Sequence, residues 1–202
     1  MDPAPRVHAP STASSATPVV ADADYVAGVH RGDEAAFTAL VRAYLDPLTR
    51  FAYSYVADAD VAHDLVQDVF ARVWELGSEW APTAGAAAYL FGAVRHRARN
   101  ALRNARTRQR IEETIRSQLG AVSRPDANGV YTDVILTGLV RREFQALTER
   151  QQDALRLRYG MGQPVARVAA LLGIDTRATE RLIARALATL RARLALAAPD
   201  SG

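Results

Sequence analysis

Apolar side chains recur every three to four residues along most of this chain, which is the period of an α-helix packed on one side. A representative set is Phe37, Leu40, Val41, Tyr44, Leu48 and Phe51. No stretch alternates apolar and polar residues between turn dipeptides, as a half-buried strand would. The sequence therefore predicts an all-α fold.

Breaks in this pattern divide the chain into four parts. Residues 1–21 are rich in Ala, Pro, Ser and Thr, lack periodicity, and are predicted to be a disordered leader. Residues 22–111 are predicted to form one small helical domain. A flexible linker is expected at 112–133, where Pro125 interrupts the helical pattern. Residues 134–198 are predicted to form a second small domain, a helix-turn-helix.

Composition excludes several classes of chemistry. The chain has 25 basic residues, all of them arginine, and no cysteine. Disulfides, cysteine-ligated zinc, a Walker lysine and a lysine Schiff base are therefore excluded. The longest apolar run, Gly85 to Val94, is too short to span a bilayer, and the first residues do not resemble a signal peptide. We expect a cytoplasmic protein without membrane insertion.

Charge is segregated along the chain. Residues 22–84 hold 4 arginines and 11 acidic residues, whereas 85–116 hold 8 arginines and 2 acidic residues. Residues 141–193 hold 11 arginines and 5 acidic residues. This segregation favours two kinds of partner, a basic protein surface for the acidic segment and a polyanion for the basic ones. Solvated helix faces on an ordinary bundle are the alternative.

One long helix, predicted from about Ala86 past Arg110, carries a stripe of arginines. At 100° per residue the stripe falls within an arc of roughly 80°, and it comprises Arg95, Arg99, Arg103, Arg106 and Arg110. No acidic residue lies between its ends, so a phosphate backbone is the favoured partner. Trp80 and Tyr89 offer rings nearby for base stacking, although such rings are more often core residues. The interpretation fails if the stripe packs against the chain's own carboxylates.

The last two predicted helices resemble a helix-turn-helix. Pro164 starts the first helix, Gly173 supplies a left-handed turn, and Asp175 can cap the second. Arg177, Arg181 and Arg185 recur on one side of the second helix, which suits the major groove. Glu180 lies among them and either accepts a hydrogen bond from cytosine or pairs with a neighbouring arginine. Helical hairpins that do not bind DNA share parts of this pattern.

An acidic helix precedes the arginine stripe. Asp64, Gln67 and Asp68 lie away from its densest apolar face, and His63 is adjacent. Paired carboxylates can serve acid–base catalysis or bind a metal, but no second cluster with ligand spacing accompanies them. A docking face for a basic protein is the preferred interpretation, and a solvated face is the alternative.

These segments, in this order, resemble the extracytoplasmic-function sigma factors of bacterial RNA polymerase. The most specific part is Asp64-Leu65-Val66-Gln67-Asp68-Val69-Phe70 followed by Val73-Trp74. The resemblance extends from Asp24 to Leu194 and includes Gly32-Asp33-Glu34-Ala35-Ala36-Phe37 and Leu147-Thr148-Glu149-Arg150-Gln151. It implies a non-enzymatic factor without a cofactor, which binds core polymerase, directs it to promoters and assists promoter opening.

The resemblance also implies roles for individual residues. Contacts with the beta-prime clamp helices of the polymerase would involve Asp64, Leu65, Gln67, Asp68, Phe70 and Trp74. The minus-ten element would be contacted by Trp80, Tyr89, Arg95, His96, Arg99, Asn100, Arg103 and Arg106. The minus-thirty-five element would be contacted by Arg177, Ala178, Glu180, Arg181 and Arg185. The implied partners are core polymerase, including its beta flap, promoter DNA and an anti-sigma factor.

Several residues depart from the family pattern. Tyr89 stands where tryptophan is usual, and His96 stands where asparagine is usual. Thr179 replaces a buried valine, and Glu180 and Leu182 replace basic residues. These departures leave the promoter sequence unpredicted.

Two other functions remain open from the sequence. One is a helix-turn-helix regulator whose N-terminal domain senses a ligand or mediates dimerisation, which leaves the arginine stripe without a purpose. The other is a hydrolase or metal enzyme that uses His63, Asp64 and Asp68.

Overall fold

The computed structural model describes residues 21–118 and 131–197, which fold into eight α-helices with no strand in these two ranges. The helices are α1 (Ala21–His30), α2 (Glu34–Val56), α3 (Ala59–Leu76), α4 (Gly85–Gln118), α5 (Tyr131–Gln145), α6 (Glu149–Leu155), α7 (Val165–Leu172) and α8 (Thr176–Ala197). The predicted all-α architecture is confirmed.

Local capping chemistry explains where several helices begin. Asp33 Oδ1 accepts hydrogen bonds from the Ala35 and Ala36 amides at the start of α2. Asp58 Oδ1 accepts from Val61 N at 3.0 Å at the start of α3. These side chains satisfy amides that have no partner within their own helix. Aspartate is one of the residue types favoured at this position, so the sequence itself accounts for both helix starts.

The N-terminal helices enclose one apolar core. Leu40, Phe51, Val66 and Val94, from α2, α3 and α4, are at most 1% exposed. Helix α1 crosses α2 closely at Gly28, where an added Cβ would lie 2.2 Å from the Cβ of Ala36. Only glycine permits that approach, so α1 is held against the bundle at this point.

The C-terminal helices extend the core of the N-terminal helices. They add Leu157, Val168, Leu172 and Ile183, each at most 9% exposed, to the same cluster of buried residues. A π-helical turn, Arg156–Gly160, follows α6, and the Met161 amide donates to Arg156 O at 2.9 Å. The helical path thus continues beyond α6 through one turn that is wider than an α-turn.

The helices on either side of the predicted linker are longer than expected. Helix α4 continues to Gln118, and α5 begins at Tyr131. No glycine or proline occurs between Gly92 and Gly120, so nothing in the local sequence ends α4 earlier. Residues 119–130 of the linker and residues 1–20 of the leader lie outside the described residues.

Candidate nucleic-acid and protein interfaces

The acidic face of α3 is exposed. Asp64, Gln67 and Asp68 all point to solvent, and Leu65 is half-buried beside them. Asp68 Oδ2 accepts from Arg97 Nη1 of α4 at 3.1 Å, but both side chains are well exposed, so this ion pair is weak. The face therefore offers accessible carboxylates to a basic partner.

Two aromatic residues of α3 differ in accessibility. Trp74 is 43% exposed, and its ring lies 4.8 Å from the ring of Phe37. Phe70 is only 5% exposed and packs edge-on against the same phenyl ring. Phe70 is therefore part of the core in this structure, and its contact with polymerase stays a prediction. Trp74 remains a candidate contact.

The middle of α4 presents a chain of polar side chains. Arg103 Nη2 donates to Asn100 Oδ1 at 2.5 Å, and Asn100 Nδ2 lies 3.4 Å from His96 Nδ1. His96, Asn100 and the half-buried Tyr89 line an open groove of about 360 Å³ between α3 and α4. These four predicted minus-ten residues thus lie on one accessible side of α4.

Trp80 does not belong to this accessible group. Its side chain is 1% exposed, and its ring packs edge-on against Tyr89 at a centroid distance of 5.7 Å. Its backbone carbonyl lies 2.5 Å from His30 Nε2. The Trp80 ring is thus part of the core in this structure, and its contact with DNA stays a prediction.

The arginine stripe is paired in part with carboxylates of the C-terminal domain. Arg99 Nη2 donates to Asp153 Oδ2 at 2.6 Å, and Arg99 Nη1 lies 2.9 Å from Glu149 Oε2. Arg95 Nε lies 3.8 Å from the same Asp153 oxygen. Arg95 and Arg99 thus pack against the chain's own carboxylates, the arrangement that counts against a phosphate partner for these two residues, whereas Arg103 and Arg106 are exposed. The contacts of these arginines with the minus-ten element stay predictions.

Residues that the sequence did not single out complete this contact. The hydroxyl of Tyr55, at the end of α2, donates to Asp153 Oδ1 at 2.5 Å. The Arg156 guanidinium lies over the rings of Tyr55 and Phe144, at 4.1 and 4.7 Å from their centroids. Arg156 Nε also donates to Ser54 O at 3.1 Å. Only the rarity of acidic residues in the C-terminal domain could have drawn attention to Asp153.

Burial changes the acidity of groups in this contact. Burial raises the pKa of the Tyr55 hydroxyl far above its ordinary value, and the neighbouring Asp153 charge adds to the effect. Burial also lowers the pKa of the Arg156 guanidinium. Tyr55 consequently stays protonated and acts as a hydrogen-bond donor to Asp153.

The helix-turn-helix geometry matches the prediction. Gly173 adopts the left-handed conformation, with φ 64° and ψ 40°, between α7 and α8. Asp175 Oδ1 accepts from Ala178 N at 2.8 Å and caps α8. Thr179 is fully buried, and its hydroxyl donates to Asp175 O at 3.0 Å. The hydroxyl at this packing position is therefore satisfied within its own helix.

The predicted DNA-contacting side of α8 is accessible. Arg177, Glu180, Arg181 and Arg185 are exposed, and Ala178 is half-buried among them. Three cations separated by one helical turn each can meet successive phosphates or base edges along a groove.

Within residues 21–118 and 131–197, no group of three or more His, Cys, Asp or Glu side chains could hold a metal ion. In the same ranges, no helix combines the length and the apolarity that crossing a membrane requires.

Two family models match the chain. Sigma-70 region 2 matches residues 40–108, and Sigma-70, region 4 matches residues 137–190. The first match contains α3 and most of α4, and the second contains the helix-turn-helix.

Several known proteins are similar to this chain, and the share of their own length that the chain covers differs among them. The sigma factor SigL of Mycobacterium tuberculosis, an ECF RNA polymerase sigma factor, is 29% identical over 81% of this chain and 93% of its own length. The probable RNA polymerase sigma factor RfaY of Xanthomonas campestris is 26% identical, and the chain spans only 41% of its length. The solved structure of CnrH in complex with the cytosolic domain of CnrY has the same fold, with a TM-score of 0.58 and 23% identity over 88% of this chain and 99% of that one.

Proposed function

This chain belongs to the extracytoplasmic-function sigma factors of bacterial RNA polymerase. We therefore propose that three separate exposed surfaces bind core polymerase, the minus-ten element and the minus-thirty-five element. The protein is an RNA polymerase sigma factor that directs promoter-specific transcription, and it is not an enzyme. The assignment of three binding surfaces rests on the placement of opposite charges on separate accessible faces of α3, α4 and α8.

The α3 face docks on the beta-prime clamp helices of core polymerase. Asp64, Gln67 and Asp68 supply exposed polar and acidic groups, and Trp74 supplies an exposed ring supported by Phe37. An accessible aromatic anchor beside charged groups is typical of residues that dominate interface energies. The beta flap is expected to contact the C-terminal domain.

The exposed part of α4 contacts the minus-ten element. Tyr89, His96, Asn100 and Arg103 line or flank one open groove, which offers a stacking surface beside hydrogen-bonding groups. Arg106 continues the positive surface toward the end of the helix. Neutralising Arg103 and Arg106 should flatten the salt dependence of single-strand binding by about 1.4 slope units, since each single-strand phosphate contact contributes about 0.7.

The second helix of the helix-turn-helix, α8, contacts the minus-thirty-five element. Arg177, Arg181 and Arg185 are accessible, and the left-handed turn at Gly173 sets the angle between α7 and α8. We place the minus-ten domain at 22–111, the linker at 112–133 and the minus-thirty-five domain at 134–198.

The protein acts in the cytoplasm, where its polymerase and promoters are, and an anti-sigma factor restrains it. The structure of CnrH with the cytosolic domain of CnrY supports a protein partner for this fold. The alternative of a ligand-sensing regulator receives no support, because the region 2 match covers the N-terminal domain that this alternative would assign to sensing.

A polymerase capture assay tests the docking surface. The double variant Asp64→Arg/Asp68→Arg should lose most of its binding to core polymerase, because both accessible carboxylates are reversed. The matched control Asp46→Arg/Glu79→Arg reverses two exposed acidic residues outside this face and should bind normally. Equal capture of the two variants would contradict the proposed docking surface, and absence of core-dependent promoter transcription by the native chain would contradict the function.

A further inference from the structure

The start of α4 is held by a carboxylate from α1. Asp22 Oδ2 accepts a hydrogen bond from the Ala87 amide at 3.2 Å, although 65 positions separate the two residues. Ala87 is the third residue of α4, and an amide in the first turn of a helix has no carbonyl partner within that helix. A carboxylate at this end also interacts favourably with the helix dipole. Asp22 therefore caps α4 from a different helix.

A buried donor fixes the orientation of the Asp22 carboxylate. The hydroxyl of Tyr44, a residue of α2 that is 1% exposed, donates to Asp22 Oδ1. Each carboxylate oxygen thus has a donor from a different helix. Gly85, with φ 86°, leaves room for this approach, because a Cβ added there would lie 3.3 Å from Asp22 Oδ2, closer than ordinary van der Waals contact. The first turn of α4 is therefore built around the carboxylate.

The other end of α1 holds the segment that precedes α4. His30, in the last turn of α1, donates from Nε2 to Trp80 O at 2.5 Å. The Trp80 ring packs edge-on against the ring of Tyr89, which lies two residues beyond Ala87. The two ends of α1 thus hold backbone groups at both ends of segment 80–87, directly before Tyr89.

We infer that Asp22 is a positioning residue for the minus-ten groove, because it fixes the first turn of α4 and thereby the place of the Tyr89 ring. This inference rests on the proposed function, in which Tyr89 offers a stacking surface to a base. A site that is ordered before binding loses less conformational freedom, and its affinity is not reduced by time spent in other arrangements. Asp22 itself does not need to touch DNA.

Hydrogen exchange of the Ala87 amide, measured by nuclear magnetic resonance, tests the contact directly. Asp22→Ala removes the acceptor, so this amide should exchange at least about fivefold faster, the change that corresponds to loss of one helix cap. Asp22→Asn keeps an oxygen acceptor and should preserve most of the protection. The matched control Asp24→Ala removes an exposed carboxylate from the same turn of α1 and should leave the Ala87 amide protected.

Binding to a short, mixed-sequence single-stranded oligodeoxynucleotide tests the consequence. Asp22→Ala should bind about two- to fivefold more weakly at low salt, and loss of the cap sets the upper limit. The same substitution made in Tyr89→Ala should cause no further loss, because the ring that Asp22 positions is already absent. A purely structural role for Asp22 would weaken binding equally in both backgrounds. Circular dichroism of each variant establishes that the helices remain folded.

The outcomes separate the inference from the proposed function. Faster exchange at Ala87, together with a loss of affinity that depends on Tyr89, supports the positioning role. Unchanged exchange, unchanged affinity or equal losses in both backgrounds overturn it, even if the protein directs transcription by core polymerase. If Asp22→Ala does not fold, Tyr44→Phe, which leaves Asp22 without its buried donor, takes its place in both measurements. If the native chain supports no core-dependent transcription, the proposed function fails instead, and the exchange result is unaffected.

Discussion

Alkaline pH should destabilise the N-terminal domain through two buried tyrosines on α2. Tyr44 and Tyr55 are 1% and 7% exposed, and burial raises the pKa of both hydroxyls far above the ordinary value. Tyr44 donates its hydroxyl hydrogen bond to Asp22, and Tyr55 donates its own to Asp153. The nearby aspartate adds to the increase in pKa in each case. Both hydroxyls therefore stay protonated in the folded state.

The sign and size of the effect follow from proton linkage. A tyrosine in the unfolded chain titrates at about pH 10, so above that pH the unfolded state binds fewer protons than the folded state. The free energy of unfolding then falls as pH rises, and its full value is present only below about pH 10. At pH 11 each buried tyrosine lowers it by about 1.4 kcal/mol, giving about 3 kcal/mol for the pair.

Urea unfolding followed by circular dichroism between pH 8 and pH 11 measures this loss. The loss can be assigned to the tyrosines without interference from lysine or cysteine, because the chain contains neither residue. Tyr44→Phe should remove about half of the alkaline loss, whereas Tyr53→Phe, at a 50% exposed position, should leave it intact. A constant free energy of unfolding up to pH 11 would refute the reasoning. So would ionisation of all 7 tyrosines, seen by ultraviolet absorbance, while the helices remain folded.

Three smaller predictions concern packing and capping, and urea unfolding measures each of them. Gly28→Ala should lower the free energy of unfolding by about 1–3 kcal/mol, because its Cβ would overlap that of Ala36. Adding Ala36→Gly should restore most of this loss, and no recovery would contradict a clash at this helix crossing. Thr179→Val should change the free energy of unfolding by less than about 1 kcal/mol, because the Asp175 carbonyl still accepts a hydrogen bond from the amide at position 179. A loss above about 2 kcal/mol would contradict this account. Asp58→Ala should cost about 1 kcal/mol through loss of the α3 cap, whereas Asp58→Ser should retain most of it.

Local chemistry made the helices and their ends predictable. Asp33, Asp58 and Thr148 cap helices in the structure, and each is a residue type favoured as a cap, because a cap depends on residues two or three positions away. Gly173 was likewise predictable as a left-handed residue. The family resemblance, now supported by matches to both sigma regions, followed from motifs of the same local kind.

Accessibility was less predictable, because it depends on distant packing partners. Phe70 and Trp74 lie one turn apart on α3, and both contact Phe37, yet one is buried and the other exposed. Trp80 resembled a stacking platform in sequence, but the neighbouring helices bury it. The helical periodicity of apolar residues cannot distinguish these cases, because helices that are distant in sequence determine which side of a helix is buried.

Pairing between domains could not be inferred from charge counts alone. Between Arg95 and Arg110 no acidic residue is close in sequence, but folding brings Asp153 and Glu149 to Arg99 from about fifty positions away. A stripe of like charges on one helix is unfavourable in isolation, and those two carboxylates offset part of that cost. Charge counts along the sequence could not reveal these pairs, because their members meet only in the folded chain.

The few acidic residues of the C-terminal domain explain why its α8 surface stays positive. Between 141 and 193 there are five, and four have partners: Glu143 pairs with Arg193, Glu149 and Asp153 pair with Arg99, and Asp175 caps α8. Glu180 is left exposed among the arginines of α8. Glu180→Ala should therefore raise nonspecific duplex affinity, because it removes the one repulsive charge on that face. Weaker binding by this variant in a duplex titration would show instead that Glu180 accepts a hydrogen bond from a base.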